Sequence, residues 1–504
     1  MAERPFDSLP YYALVRPSHP ALVEMETGRS YDYAALHDRV ARAVSVLHNV
    51  YHIGVGDRVA VLARNCADYL VLHLACARLG AILVALNWRL ASGELAFLIG
   101  DAEPALLVTD ALPSGLEEAS LSGATVETMA AISERIDGAR PDWREGEDGD
   151  RPSLMLYTSG TSGKPKGALI SERNLFATAL GFGMIGRVGP ASIQLSDSPM
   201  FHIIGLVTAI RPILLQGGTI LLSSGFDAAR SYARLADPSL GVTHYFCVPQ
   251  MAEMIRAVPG FDPAPLRRLT ALFTGGAPIA PARVYEWLDD GVILNNGYGM
   301  TETGTIMHMP LDRDMIYARP ESVGAPSPMI EVQLRNESGG ICGLGEVGEF
   351  LMRGPGVIRE YWRRPEANAT SFTTDGWFLT GDLGRRDEAG FYHLVDRKKD
   401  MFISGGENVY PAEVEAALLA HPAIAEAAVT GIADDHWGEV GLAGVVLRED
   451  CDLDEAGLRL HLSAELARYK IPKHIHFLDA LPRTGTGKVI KAELRIQLTE
   501  KIGG

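Results

Sequence analysis

Alternation of short apolar runs with helical stretches predicts an α/β protein, and three observations carry that reading. Residues 58–86 spell a strand, a helix and a second strand in quick succession. Strand-like runs separated by turns or helical stretches then recur at Thr219–Leu222, Thr243–Val248 and Leu269–Thr274. The composition shifts at Asp396-Arg-Lys-Lys-Asp400, and the chain beyond follows a pattern of its own. We therefore expect a large N-terminal α/β domain of several subdomains, residues 1–396, with parallel sheets and a smaller antiparallel portion. A small α+β domain should follow over residues 397–504. With 504 residues the chain exceeds what one ordinary core accommodates, so two or more domains are the default.

Taken in order, Arg58–Ala63 is apolar enough for a strand. Ala67–Leu79 has helical periodicity, Gly80 ends it, and Ala81–Leu86 returns as a strand, completing a βαβ unit. The preceding Gly54-Val-Gly-Asp-Arg-Val59 lacks the third glycine of a dinucleotide fingerprint, and its glycines come before the strand, so no NAD site is expected there. Residues 140–152, charged and rich in Gly and Pro, read as a connector. Ile203–Ile210 is the most tempting apolar run, and Arg211-Pro212 ends it far short of the ~20 residues that span a bilayer. Gly345–Arg353 and Gly390–Val395 lie among turn residues and suggest the antiparallel portion. The C-terminal segment reads as a helix from Pro411, strands Ala427–Ile432 and Leu442–Leu447, a helix Leu453–Arg468 and a strand His474–Phe477.

The chain is 47% hydrophobic and 22% charged, with a net charge of −17. That charge argues against a nucleic-acid surface and against binding to anionic membranes. Cys66, Cys76, Cys247, Cys342 and Cys451 are scattered, odd in number and without a CxxC, so they read as reduced thiols and not as disulfides or a zinc site. The N-terminal residues have no apolar h-region. A cytoplasmic enzyme is the expectation, and its oligomeric state, with a homodimer as one option, is not legible.

The most informative segment is Tyr157-Thr-Ser-Gly-Thr-Ser-Gly-Lys-Pro-Lys-Gly167, directly after the apolar Leu154-Met155-Leu156. Its glycines allow tight turns that expose N–H groups, its hydroxyls donate hydrogen bonds, and its lysines are cationic, which suits polyphosphate oxygens. A flexible Gly/Ser surface loop is the bland alternative. The Walker A pattern fails, because two residues and not four separate Gly160 from Gly163, and Pro165 follows Lys164. Gly297-Tyr-Gly-Met-Thr-Glu302 offers a tyrosine for a purine face, Thr301 for a phosphate and the Glu302 carboxylate for magnesium. Thr380-Gly-Asp382 places a carboxylate on a turn, and Pro482-Arg-Thr-Gly-Thr-Gly-Lys488 places a lysine after a flexible loop.

In this order, with residues 397–408 between the last two, these segments resemble those of the adenylate-forming superfamily of acyl-CoA synthetases, luciferases and peptide-synthetase adenylation domains. The resemblance runs from roughly residue 30 onward. It implies that Thr158, Ser159, Gly160, Thr161, Ser162, Gly163 and Lys166 form the phosphate loop, with Ser162 where threonine is common. It implies adenine contacts at Gly275, Gly276, Ala277, Pro278, Tyr298 and Gly299, ribose contacts at Asp382 and Arg397, and catalytic roles for Thr301, Glu302 and Lys488. Glu302 would also hold Mg²⁺. Lys399 would be the hinge of a mobile C-terminal domain that presents Lys488 for the first half-reaction. Gly405, Gly406, Glu407 and Asn408 would serve the second, thioester-forming step.

The implied activity is ATP-dependent, AMP-forming ligation of a carboxylic acid to coenzyme A. Met200-Phe-His-Ile-Ile-Gly205 resembles the segment beside the acyl pocket, where His202 lines or gates the channel or is a structural histidine. His202 stands where amino-acid-activating relatives carry an aspartate, which disfavours a free amino acid. The expected acyl pocket, with His202, Gly205, Val207, Tyr245, Gly304 and His308, is largely apolar. A buried charge without a partner is costly there, so an apolar monocarboxylate is expected: a fatty acid, or an aryl acid such as a benzoate or hydroxycinnamate. Arg211 or His308 is available to pair with a second carboxylate, so a dicarboxylate stays open. Two other classes are a stand-alone adenylation enzyme loading a carrier protein and a non-catalytic acyl or nucleotide binder. No carrier domain follows Gly504, which favours CoA as acceptor, and a binder has no evident use for Lys488.

Overall fold

The computed structural model describes residues 7–502 except 117–120, 122, 159–164, 278, 399, 405–406, 435–436 and 484–488. Three sheets organise it. In the first, Thr125–Thr128, Leu106–Thr109, Arg58–Leu62, Ile82–Ala85 and Pro152–Thr158 run parallel, and Lys166–Ser171 closes the edge antiparallel. The βαβ unit read from residues 58–86 is present. Its helix, Ala67–Leu79, ends at Gly80, whose φ of +69° is a left-handed conformation that favours glycine. That helix is buried nearly all round, as expected of one packed between layers.

The second sheet supplies most of the site. Pro20–Glu24, Thr219–Leu222, Ile193–Ser196, His244–Cys247, Ala271–Thr274 and Leu294–Met300 lie side by side in parallel. Gly304–His308 then turns back on Leu294–Met300, and Ser322–Pro326, Tyr392–Arg397, Phe378–Arg386, Gly348–Arg353 and Glu331–Arg335 continue antiparallel. The antiparallel portion expected around residues 345–395 is therefore joined to the parallel sheet and is larger than the sequence suggested. The sequence reading also missed Pro20–Glu24, because its partner Thr219–Leu222 lies about two hundred positions away and no local pattern reports such pairing.

The apolar run Ile203–Ile210 contains a single π-helical turn, Ile204–Thr208. Arg211-Pro212 opens a new helix, Arg211–Gln216, with the proline in its first turn, where a missing N–H costs nothing. No described helix is long and apolar enough to cross a membrane.

The third sheet begins after residue 400. Glu407–Val409, Phe402–Ser404, Gly438–Leu447 and Ile424–Asp434 form it, with His474–Phe477 parallel to Gly438–Leu447. Helices Pro411–Leu419, Glu455–Glu465 and Lys491–Ile502 flank it. One contact to the preceding part runs through Asp396. Its buried carboxylate accepts from the backbone N–H of Arg397 (2.6 Å) and of Ala412 (2.8 Å), at the start of the Pro411–Leu419 helix. Burial pushes its pKa up to about 6, against the pull of Lys491, which pairs with Glu415 at 2.8 Å.

Candidate active site

Strand pairing brings the motifs together. Thr158 and Lys166 face one another at the open end of the Pro152–Thr158 and Lys166–Ser171 hairpin, so the hydroxyl-rich loop connects two strands. No helix follows it as in a Walker motif, in keeping with Pro165. Glu302 lies in the turn after Leu294–Met300 and is nearly buried. Its Oε1 accepts from the Thr158 hydroxyl (3.2 Å) and the Tyr361 hydroxyl (2.9 Å). Burial and the neighbouring Glu302 raise the Tyr361 pKa, so this phenol stays protonated and donates. Lys166 Nζ lies 4.3 Å from the centre of the Tyr361 ring, a cation–π contact that aims the amine at the same corner. Tyr361 was not singled out from sequence. The only signal was an aromatic pair, Tyr361-Trp362, inside an otherwise charged loop.

Oε2 of Glu302 takes no hydrogen bond from a described residue in this arrangement. One carboxylate with an open oxygen suits magnesium, which usually keeps several waters and takes only one or two protein carboxylates. Thr301 adjoins it in the same turn and is half-buried.

A second cluster lies across the antiparallel strands. Tyr298 donates to Asp382 Oδ2 at 2.6 Å, and Arg397 Nε sits 3.1 Å from Asp382 Oδ1. Asp382 and Arg397 are register partners on adjacent strands. Burial, reinforced by Asp382, drives the Tyr298 pKa well upward, which keeps the proton on the phenol. Phe350 stacks on one face of the Tyr298 ring (5.6 Å between centres, 24° between planes). The expectation that Tyr298 lies along a purine is thereby narrowed to the opposite face. The Asp382 carboxylate is already engaged at both oxygens, so gripping a ribose would require sharing or displacing these partners.

Gly275, Gly276 and Ala277 follow the strand Ala271–Thr274. Gly276 has φ +83°, and a side chain at Gly275 would come within 3.0 Å of the Gly297 carbonyl. Gly299 faces the returning strand so closely that a Cβ would lie 2.1 Å from the Gly304 oxygen. These glycines let two backbone segments approach each other.

The acyl-side residues are only partly brought together. Gly304 (φ +69°) leaves room for Thr178, whose hydroxyl a Cβ would strike at 2.4 Å. His202 packs at a tilt against Phe201, with ring centres 4.6 Å apart and 59° between planes. Gly205 is a packing position: a Cβ there would lie 2.1 Å from the Pro199 oxygen. Val207 belongs to the main hydrophobic core. Tyr245 faces the other side of the sheet, where its hydroxyl donates to Asp197 (3.0 Å) among Leu195, Leu235 and Trp287. Strand alternation turns the next residue, Phe246, to the opposite face, where it meets Phe182, Phe273 and His308. Of the two neighbours, Tyr245, expected at the acyl pocket, is thus on the Asp197 side of the sheet and Phe246 is on the His308 side.

Arg211 lies against Glu172, which also accepts from Ser153 (2.6 Å), so this guanidinium is committed inside the protein. Burial pushes the His308 pKa down to about 3, leaving it uncharged. Neither residue offers a cation to a second carboxylate. Glu407 and Asn408 are exposed on the small sheet, Asn408 opposite Ile403. Ser159, Gly160, Thr161, Ser162, Gly163, Pro278, Lys399, Gly405, Gly406 and Lys488 lie outside the described residues.

Residues 11–362 match the family model of the AMP-binding enzyme, and residues 413–488 match the model of the AMP-binding enzyme C-terminal domain. The chain belongs to the AMP-binding enzyme family. It is similar to a feruloyl-CoA synthase from an Amycolatopsis species, with 38% identity covering 95% of this chain and 96% of that one. It is also similar to the long-chain-fatty-acid–CoA ligase FadD13 of Mycobacterium tuberculosis, with 33% identity covering 97% of each. Among solved structures, ATP-bound MatB from Rhodopseudomonas palustris superposes with a TM-score of 0.90 at 32% identity, covering 98% of this chain and 99% of that one. The large α/β portion and the small C-terminal portion expected from the sequence are those of this family.

Proposed function

We propose that the protein is an ATP-dependent, AMP-forming acid–CoA ligase whose acid is an apolar monocarboxylate, an aryl acid in preference to a fatty acid. The observation that carries the choice of acid is the box of Phe182, Phe246, Phe273 and His308 directly behind Gly275. Phe246 lies 3.5 Å from where a Gly275 side chain would begin. Phe246 and Phe273 are near-parallel (12° between planes) with the His308 ring edge-on to both, an arrangement that fits another flat ring and leaves a poor path for a long flexible chain. The relatives named for feruloyl and long-chain fatty acyl substrates bracket the same two alternatives. With Arg211 and His308 unable to supply a charge, a dicarboxylate loses the two partners that kept it open.

The chemistry follows from the groups present. A carboxylate is a poor electrophile, so one of its oxygens attacks the ATP α-phosphate and pyrophosphate leaves, giving an acyl adenylate. Thr158 and Lys166, at the mouth of the hydroxyl-rich loop, steady the outer phosphates, and Thr301 reaches the α-phosphate. Glu302 would hold magnesium, which would supply neutralising charge. Lys488 stabilises the charge that develops in the same step. The CoA thiol then attacks the acyl carbon, AMP leaves, and the thiol loses its proton. No protein nucleophile is needed, in keeping with buried or isolated cysteines: burial raises the Cys66 thiol pKa to about 12 and pushes those of Cys76 and Cys247 upward as well. The C-terminal segment from residue 397 pivots near Lys399, bringing in Lys488 first and the Gly405–Asn408 loop second. Such a pivot must break the Asp396–Ala412 contact. Reduced cysteines fit a cytoplasmic setting.

The test is pyrophosphate release across aliphatic, aromatic and dicarboxylic acids, with and without CoA. Aryl acids should lead by at least tenfold in kcat/KM, and CoA should be consumed. A lead for long-chain acids would overturn the choice of acid, and turnover with a carrier protein alone would overturn the acceptor.

A further inference from the structure

His308 has a feature that the box of rings does not explain. It lies on the strand Gly304–His308, opposite Gly297 in register, so close that a Cβ at Gly297 would lie 2.2 Å from its ring. Its Nδ1 lies 3.1 Å from Asn295 Oδ1. The Asn295 amide is oriented by its own NH₂, which donates to the Met309 carbonyl at 2.6 Å. The oxygen must then be the atom facing the histidine, so Nδ1 carries the hydrogen and donates. In a neutral imidazole the other nitrogen is then a bare acceptor. Nε2 is buried and has no partner among the described residues. Around it stand the rings of Phe182, Phe246 and Phe273, at 5.2, 6.3 and 5.9 Å between centres, none of which offers an O–H or N–H donor.

A buried acceptor left unpaired costs free energy unless something donates to it. The placement suggests what does. The reacting carboxylate must lie at the turn carrying Thr301, and Gly304 to His308 is four residue steps, about 13 Å at the rise of a strand. That reach suits a single aromatic ring carried on a short acidic arm, with its far edge at His308.

We propose that Nε2 of His308 accepts a hydrogen bond from a phenolic hydroxyl at the far end of the acid, making the protein selective for hydroxyaryl acids. This rests on the aryl-acid reading above and sharpens it: the rings select a flat body, and one nitrogen selects a donor on it. Asn295 acts as a positioning residue, since it fixes which nitrogen is the acceptor.

The experiment compares kcat/KM, by pyrophosphate release with CoA, for three 4-substituted cinnamates that carry hydroxyl, methoxy or hydrogen. The wild type should prefer the hydroxyl acid to both others by about 10- to 100-fold, because a methoxy oxygen has no hydrogen to give. In His308→Phe the preference over the unsubstituted acid should fall to about threefold or less, with the unsubstituted acid still turned over. His308→Gln, whose amide oxygen can accept, should retain part of the preference. Equal wild-type rates for the hydroxyl and unsubstituted acids would overturn the assignment, and so would full preference surviving in His308→Phe. The wild-type series decides even where a variant does not fold. Failure of all three cinnamates and of the corresponding benzoates would overturn the aryl reading itself. Uniform turnover of all three overturns the role of His308 alone.

Discussion

On the side proposed for the nucleotide, Glu302 accepts hydrogen bonds from Thr158 and Tyr361, which lie 144 and 59 positions away in the chain. On the side proposed for the acid, His308 stands among phenylalanine rings with one nitrogen paired and one without a partner among the described residues. The first region is a web of polar contacts already made within the protein, spanning the hairpin, the central sheet and the loop around Tyr361. The second is an apolar box with a single polar point. The difference follows from what each must hold. Polyphosphate and magnesium are recognised by charge and oxygen ligands, which must be positioned before they arrive. An apolar acid is recognised by shape, and one well-placed polar atom is enough to discriminate among acids of the same shape.

The comparison can be broken most forcefully from the nucleotide side. Lys488→Ala should lower adenylation, measured by ATP–pyrophosphate exchange, by about 10²–10³-fold, while thioester formation from supplied acyl-AMP stays within about twofold. Equal loss of both steps would count against two separate presentations of the C-terminal segment. Glu302→Gln should come next, with exchange reduced about 10²-fold and the deficit partly relieved at high magnesium. An unchanged magnesium dependence would remove Glu302 from the metal site.

The acid side is sharpened by two neighbours of opposite parity. Phe246→Ala should alter the ranking of acids, with about tenfold loss for aryl acids. Tyr245→Phe should leave that ranking unchanged and lower stability by about 1 kcal/mol through the lost hydrogen bond to Asp197. A changed ranking in Tyr245→Phe would show that the back of the sheet communicates with the pocket.

The smallest effect concerns that same back face. Burial raises the Asp197 pKa from its ordinary value to about 6. A carboxyl whose folded pKa lies above its unfolded one binds protons on folding. Its stabilisation is therefore full below about pH 4 and is lost as pH rises through about 6. Asp197→Asn should flatten the fall in Tm between those values, while the nucleotide-side kinetics stay unchanged.

The contrast between the two halves also explains what could be read in advance. The hydroxyl-rich loop, Gly297–Glu302, Thr380–Asp382 and the lysine-bearing tail are contiguous segments, and each carries its chemistry in adjacent residues. Their types and order pointed to nucleotide chemistry before any fold was known. Strands such as Thr219–Leu222 and His474–Phe477, and the helix Ala67–Leu79, were legible to the residue because local periodicity and a capping glycine set their limits. Tyr361 was not legible. Its role depends on a loop brought to Glu302 by its backbone, with the Ile358 N–H donating to the Glu302 carbonyl at 2.8 Å.

The proposed acid pocket shows the limit most clearly. The strand His244–Cys247 was identified, yet whether Tyr245 or Phe246 meets the substrate depends on which face of the sheet is covered by which helices. A period-two pattern in a strand buried on both faces does not reveal that choice. By itself the sequence determined the family, the reaction type and the alternating architecture, because backbone turns, hydroxyls and charges act locally. Only the tertiary structure decided that Arg211 is committed to Glu172, that Tyr245 faces Asp197, and that Asn295 leaves His308 with a bare acceptor. Each is a pairing between groups that only packing brings within reach.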